Sequence, residues 1–298
     1  MNMNIRLFPL LLFLATFASP AFSQDDLLNM LGDEQEPNVK VTNAFKSTRV
    51  IASHSLEHVA GGVLDFRIMH RFGSINGGGY ELFGLDQATI RLGLDYGITD
   101  RLTVGFGRST LYKELDGFLK YRLLWQSTGK HAMPVSVILV SGTTANMLKW
   151  SDPDRKNYFT SRLGYYHQII IGRKFSDAFS LQISPMVVHR NLVKLKDDKH
   201  DIYAAEVGAR LKLTRRLAIT ADYFYLLPDQ LPSDITHPLS FGFDIETGGH
   251  VFQLHFTNAP AMTEKTFITE TKGDWAKGDI HFGFNISRVF TLDGGGKK

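Results

Sequence analysis

Charged and hydrogen-bonding side chains fall on one parity of several alternating stretches in this 298-residue chain. They are Asp65, Arg67, Arg91, Asp95, Lys120, Arg122, Arg162, Glu206, Arg210, Asp222, Asp244, Glu246, Gln253 and His255, with both signs interspersed. Facing a common water-filled interior, such groups solvate and pair with one another. In a narrow passage the same groups set up a transverse field that selects small polar or anionic solutes. Either chemistry requires elements that turn this parity inward and the opposite parity outward.

Other constellations are weaker. His255, His281 and Asn285 share the inward parity near the C-terminus, and antiparallel pairing would bring the two histidines within a few residues of each other. Their spacing matches no fixed metal motif, so they read as interior histidines with ordinary partners, and no metal or cofactor is expected. His54 lies beside Ser55, but neighbours in sequence do not make a catalytic triad, and no G-x-S-x-G elbow occurs. The chain reads as non-enzymatic, with a barrel-resident lipid-modifying enzyme as the third alternative. The glycine-rich SINGGGY at 74–80 does not open a helix after a buried strand, so it is a flexible external loop rather than a phosphate cradle. Trp150 and Trp275, near charges in long loops, suit either a surface ligand or packing over a barrel mouth.

The positioning elements are strands. Between Phe83 and Gly107, Ala88, Ile90, Leu92, Leu94 and Tyr96 alternate with Thr89, Arg91, Gly93, Asp95 and Gly97, a period of two that a helix would scatter. The turn Thr99-Asp100-Arg101 reverses the chain, and Leu102, Val104 and Phe106 resume the alternation in a tight hairpin. Equivalent strands are predicted near 63–72, 115–126, 134–145, 158–173, 179–190, 201–214, 217–227, 238–247, 250–258 and 279–292, about twelve in all. Long connections such as SINGGGYELFG, MLKWSDPDRKN, LPDQLPSDITHP and 259–278 follow the odd strands, whereas TDR, TGKHA, KFSDA, TRR and TGG follow the even ones. That order predicts an all-β fold, a transmembrane antiparallel β-barrel with both termini periplasmic. An arginine facing lipid near the midplane costs about 2–4 kcal/mol, so the charged parity faces the lumen. Residues such as Phe66, Leu92, Leu94, Leu119, Ile183, Val207, Phe243 and Leu254 then face lipid. A soluble sandwich also suits alternation but leaves the loop order unexplained.

The ends and the composition agree. Arg6, the apolar run Leu7 to Phe17, and Ala21 and Ser23 ahead of Gln24 read as a cleaved signal peptide over 1–23. A periplasmic segment is expected over 24–61, the barrel over 62–292 and a tail over 293–298. The acidic stretch 25–35 is a solvated lead that could recruit a periplasmic partner. Hydrophobic residues make up 43% and mean hydropathy is −0.10, because an apolar outer face is averaged with a polar lumen. The chain has no cysteine, which excludes disulfides and thiolate metal sites. A net charge of +3 without a basic cluster argues against nucleic acid.

The strings FKSTRVIASHS, FGLDQATIRLGLDYGITDRLTVGFGRS, DGFLKYRLLWQSTGK, FDIETGGHVFQLHFTNA, FITET and GDIHFGFNISRVF together resemble the bacterial membrane-bound β-barrels of the domain of unknown function 5777 family. The resemblance covers nearly everything after the signal peptide and implies a barrel in the outer membrane, with no activity or site residues attached. The leading functional expectation is therefore an outer-membrane barrel forming a narrow pore for small polar solutes, embedded in outer-membrane lipid. The alternative is a non-conducting accessory barrel whose loops or N-terminal segment bind a periplasmic or surface protein.

Overall fold

The computed structural model describes residues 37–292. The signal peptide, the acidic lead at 25–35 and the tail at 293–298 lie outside the described residues. Twelve antiparallel strands close into a barrel: β1 Val63–Ser74, β2 Ala88–Thr99, β3 Leu102–Ser109, β4 Leu115–Leu124, β5 Ser136–Ala145, β6 Leu163–Lys174, β7 Phe179–Arg190, β8 Asp201–Lys212, β9 Leu217–Leu226, β10 Leu239–Thr247, β11 His250–Thr257 and β12 His281–Thr291. Each pairs with its sequence neighbours, and β12 returns to β1 with Thr291 opposite Val63. Closure satisfies every strand edge internally, which a span through hydrocarbon requires.

In β2 the two parities separate, with Arg91 and Asp95 1% and 3% exposed and Leu92 and Leu94 46% and 44% exposed. Leu119, Ile183, Val207, Phe241, Phe243 and Leu254 continue this apolar outer belt around the barrel. The tight connections gather on one rim, where β1 begins and β12 ends, and the long connections gather on the other.

Two regions depart from expectation. The SINGGGYELFG connection, expected as a flexible loop, is wound into 3₁₀ turns within Ile75–Gly84, interrupted at Gly78 and again from Glu81 to Phe83, and β2 starts at Ala88 as the alternation predicts. Gly84 ends those turns at φ +87°, and a Cβ there would collide with the Gly73 carbonyl. The second departure fills the lumen. Residues 44–59, expected within a periplasmic segment, lie inside the barrel, with Phe45, Val50, Ile51, Ala52 and Leu56 all buried. From the opposite rim the last long connection folds inward and forms helix α1, Glu264–Glu270, with Phe267 and Ile268 buried. The physical reason is in the wall itself. Inward residues Ile138, Val140, Ile170, Val188, Ile202 and Phe224 of β5–β9 are apolar and form one buried cluster with Phe45, Val50 and Leu56 of the segment 44–59 and with Phe267 and Ile268 of α1, as in the contact of Phe224 with Phe267 at 4.9 Å between ring centroids.

Candidate functional site

The segment 44–59 is a small hairpin. Arg49 and His54 form an antiparallel bridge, Val50 N–H donates to the Ser53 carbonyl at 2.9 Å, and Ser55 N–H donates to the Thr48 carbonyl at 3.0 Å. Its chain is fixed to the short-turn rim before it enters. Val39 and Lys40 pair with Thr128 and Ser127, and the Trp125 indole donates to the Val41 carbonyl at 2.8 Å. Glycine makes room where it passes the wall: a Cβ on Gly97 would overlap the Ala60 carbonyl, and one on Gly208 would sit 3.1 Å from a Val50 methyl.

The hairpin tip rests on a carboxylate. The backbone N–H groups of Ile51, Ala52 and Ser53 all donate to Asp222 Oδ2, at 3.2, 2.7 and 3.1 Å, and the Ser53 hydroxyl donates to Glu206 at 3.0 Å. Its carbonyls face cations on β4. Lys120 Nζ donates to the Thr48 and Glu57 carbonyls at 3.3 and 2.5 Å, and Arg122 to the Leu56 carbonyl at 2.8 Å. Gln253, Gln182 and Asn285 donate to the Val50, His54 and Ile51 carbonyls at 2.7, 2.8 and 3.1 Å. The Arg67 guanidinium donates to the Ser47 and Thr48 hydroxyls at 2.7 and 2.6 Å and pairs with Asp65 at 2.6 Å. Asp95 accepts from the Thr48 hydroxyl at 3.1 Å.

The two inserts meet in mid-lumen. Arg49 pairs with Glu264 at the start of α1, and His54 Nε2 lies 3.3 Å from the same carboxylate and 3.4 Å from the Tyr166 hydroxyl. Burial, reinforced by Arg49, holds the His54 imidazole well below its ordinary pKa, and burial with Lys120 and Arg122 takes His58 down to about 2. Behind α1, Thr263 and Thr266 donate to Glu114, the latter at 2.8 Å, and burial raises the Glu114 pKa. A cavity of 380 Å³ remains at the short-turn rim, between hairpin residues Phe45, Thr48 and His58 and wall residues Asp65, Glu246 and Ser287.

The sequence-derived lumen residues are thus placed as follows. Arg67, Asp95, Lys120, Arg122, Glu206, Asp222 and Gln253 hold the hairpin, and Asp65 pairs with Arg67 behind it. Arg91 is locked onto Asp116 by two bonds of 2.8 and 2.5 Å, and Arg210 lies beside Asp244 and Glu246. His255 is buried on the inner face, while Arg162 stands before β6 in the long-loop rim, its guanidinium over Trp150 at 3.8 Å and bonded to the Asn146 and Leu148 carbonyls. Arg162 keeps the inward parity but precedes the strand that would carry it into the lumen. His281 bonds the Phe72 carbonyl at 2.9 Å through Nδ1, and among the described residues no three His, Cys, Asp or Glu side chains converge as metal ligands. Ser55 donates to the Ser47 carbonyl, so its hydroxyl is committed within the hairpin rather than to His54. Sequence reasoning missed Arg49, His54, Gln182 and Glu264 as interior residues, because they act in inserts or carry no charge.

A closed barrel of an even number of antiparallel strands, apolar outside and charged inside, defines a membrane-spanning β-barrel of the outer-membrane class. The chain belongs to the family described as Membrane bound beta barrel domain (DUF5777), which matches residues 45–290 and so takes in the lumenal hairpin with the strands. No curated protein gives a significant sequence match. Among solved structures, the NanC porin is similar at 10% identity and a TM-score of 0.48, over 76% of this chain and 98% of that one. An outer membrane channel from Pseudomonas putida F1 is similar at 15% identity and a TM-score of 0.45, over 79% and 98% of the two chains. The outer membrane protein Omp33 of Acinetobacter baumannii follows at 9% identity and 0.40, over 76% and 97%.

Proposed function

We propose that this outer-membrane barrel is a narrow channel for small polar solutes, gated by the hairpin 44–59. The observation that carries the reading is how the hairpin is seated. Its tip is bound through hydrogen bonds to charged wall residues, and in a chain without cysteine no disulfide holds it. Hydrogen bonds to charged groups contribute about 1.5–3 kcal/mol each in net terms and are exchanged for bonds to water when the hairpin leaves, so the seat is non-covalent and open to exchange. The short-turn rim, with both ends of the barrel, is assigned to the periplasm by the usual short-turn topology, and the hairpin then withdraws to that side.

The alternative, a non-conducting barrel that presents its N-terminal chain to a periplasmic protein, is favoured by the stitching of residues 39–41 to the rim. A reversible tether separates the two. Val50→Cys with Gly208→Cys would cross-link hairpin to wall where a Gly208 Cβ lies 3.1 Å from the Val50 methyl. In planar bilayers the reduced protein is expected to show unitary conductance steps and the oxidised protein none. Silence of the reduced protein, after a heat-dependent gel shift has confirmed the folded barrel, would move the assignment to the accessory role.

A further inference from the structure

The wall that seats the hairpin is bipolar. Arg67, Arg91 and Arg210 carry their own carboxylates in Asp65, Asp116 and the Asp244–Glu246 pair, and Asp95 shares its surroundings with the Arg91 and Arg49 guanidinium groups. Among the described residues, Lys120 and Arg122 on β4 form no ion pair, and neither do Glu206 and Asp222 on β8 and β9; Arg71 on β1 is likewise without an acid partner and bonds Asn285 and the His70 carbonyl at 3.1 and 3.0 Å rather than the hairpin. Strand β4 and the pair β8 and β9 stand on different sides of the barrel, with β5, β6 and β7 between them. The β4 cations are satisfied by hairpin carbonyls and the carboxylates by hairpin N–H and hydroxyl groups, so the hairpin lays its own donors and acceptors across the lumen. The contact points, Thr48 and Ile51 to Ser53, are three to five residues apart in a folded-back hairpin, roughly 10 Å or less for the nearer pair.

Resting on the channel reading above, we propose that the open lumen selects small zwitterions, meaning free amino acids and short peptides. The ammonium group lies at Glu206 and Asp222 and the carboxylate at Lys120 and Arg122. The seated hairpin is the stand-in for that ligand: peptide N–H groups occupy the place of the ammonium, and peptide carbonyls the place of the carboxylate. A neutral polyol offers neither wall a counter-charge, and an anion answers only the β4 side while being repelled by the other. Only a solute with both charges answers both sides in one pose, which is the condition under which a desolvated charged wall favours passage over exclusion.

The test uses the full chain carrying Ala52→Cys, whose thiol is unique because the chain has no cysteine. Ala52 is 3% exposed, so modification with a bulky maleimide requires the hairpin to leave and then prevents it from reseating. Proteoliposomes of the labelled protein are challenged with solutes of similar size: glycylglycine, erythritol and malate. Glycylglycine is expected to enter several-fold faster than the other two, with Lys120→Met and Asp222→Asn each bringing the ratio toward one and Lys120→Arg preserving it. Erythritol or malate entering as fast as glycylglycine, or a ratio unmoved by both charge-removing variants, overturns the zwitterion assignment and leaves the channel standing. Labelled vesicles that admit none of the three, or a thiol that never labels, overturn the channel reading and this proposal with it.

Discussion

Asp222 shows how one side chain can hold the tip of the lumenal hairpin. Three consecutive backbone N–H groups converge on a single carboxylate oxygen, an arrangement that the formal charge strengthens. Asn in its place keeps an acceptor oxygen but loses the charge. Hydrogen bonds to charged groups contribute about 1.5–3 kcal/mol, so Asp222→Asn is expected to raise the labelling rate of Cys at position 52 by roughly tenfold to a hundredfold. A rate equal to that of the parent would mean the tip is held elsewhere. At this scale the sequence was half legible. Parity identified Asp222, Glu206, Lys120 and Arg122 as inward, because alternation fixes which face a residue occupies whatever it touches. Their partners were not legible, since they are backbone groups and one hydroxyl of a segment more than sixty residues away in the chain. Arg162 was assigned to the lumen on parity alone, and its place outside β6 shows that parity has meaning only between a strand's ends.

The elements divide into those whose pattern is local and those whose pattern is not. Strands were legible because one face meets lipid and the other does not, so a one-residue slip would reverse every side chain. Leu94, outward in the middle of β2, tests this: Leu94→Arg is expected to cost about 2–4 kcal/mol and to reduce the heat-modifiable folded fraction on gels, and an unchanged fraction would place this face away from hydrocarbon. The lumenal inserts were not legible as such, because a hairpin of fewer than twenty residues and a helix of seven, Glu264–Glu270, mix polar and apolar residues without a period. A signal for them did exist in the strands. Ile138, Ile170, Met186, Val188 and Ile202 lie on the inward parity, and a wall that apolar must be covered by something other than water. The cover depends on Glu114, which takes the Thr263 and Thr266 hydroxyls at the start of α1. Glu114→Ala strands those two buried hydroxyls, and the predicted result is tryptic cleavage at Lys265 and Lys272 at least several-fold faster than in the parent. Equal cleavage would show α1 held by its apolar side alone.

For the whole molecule, in the channel proposed above, the seated and withdrawn hairpin are two states of one barrel, and protons distinguish them. His54 and His58 are both held neutral when seated, by burial and by the cations that surround them: Arg49, Lys120, Arg91 and Arg67 around His54, Lys120 and Arg122 around His58. Glu264 is the carboxylate facing His54, and it is already engaged by Arg49. Once withdrawn into water, each imidazole titrates near its ordinary value of about 6.5. The seated state therefore binds fewer protons than the withdrawn one. Its advantage is complete above about pH 6.5 and falls as the pH drops below that value, by up to about tenfold per unit for each histidine. Modification of Cys at position 52 is accordingly expected to be flat from about pH 9 to 7.5, after correction for thiolate fraction, and to climb steeply between about pH 6.5 and 5. Replacing both histidines with Asn should flatten the climb while leaving the heat-dependent gel shift intact, which separates gate release from loss of the barrel. A parent profile that stays flat to about pH 5 would mean the hairpin does not expose these imidazoles when it moves, and a second route for solute past a seated hairpin would then have to be sought at the 380 Å³ cavity beside His58.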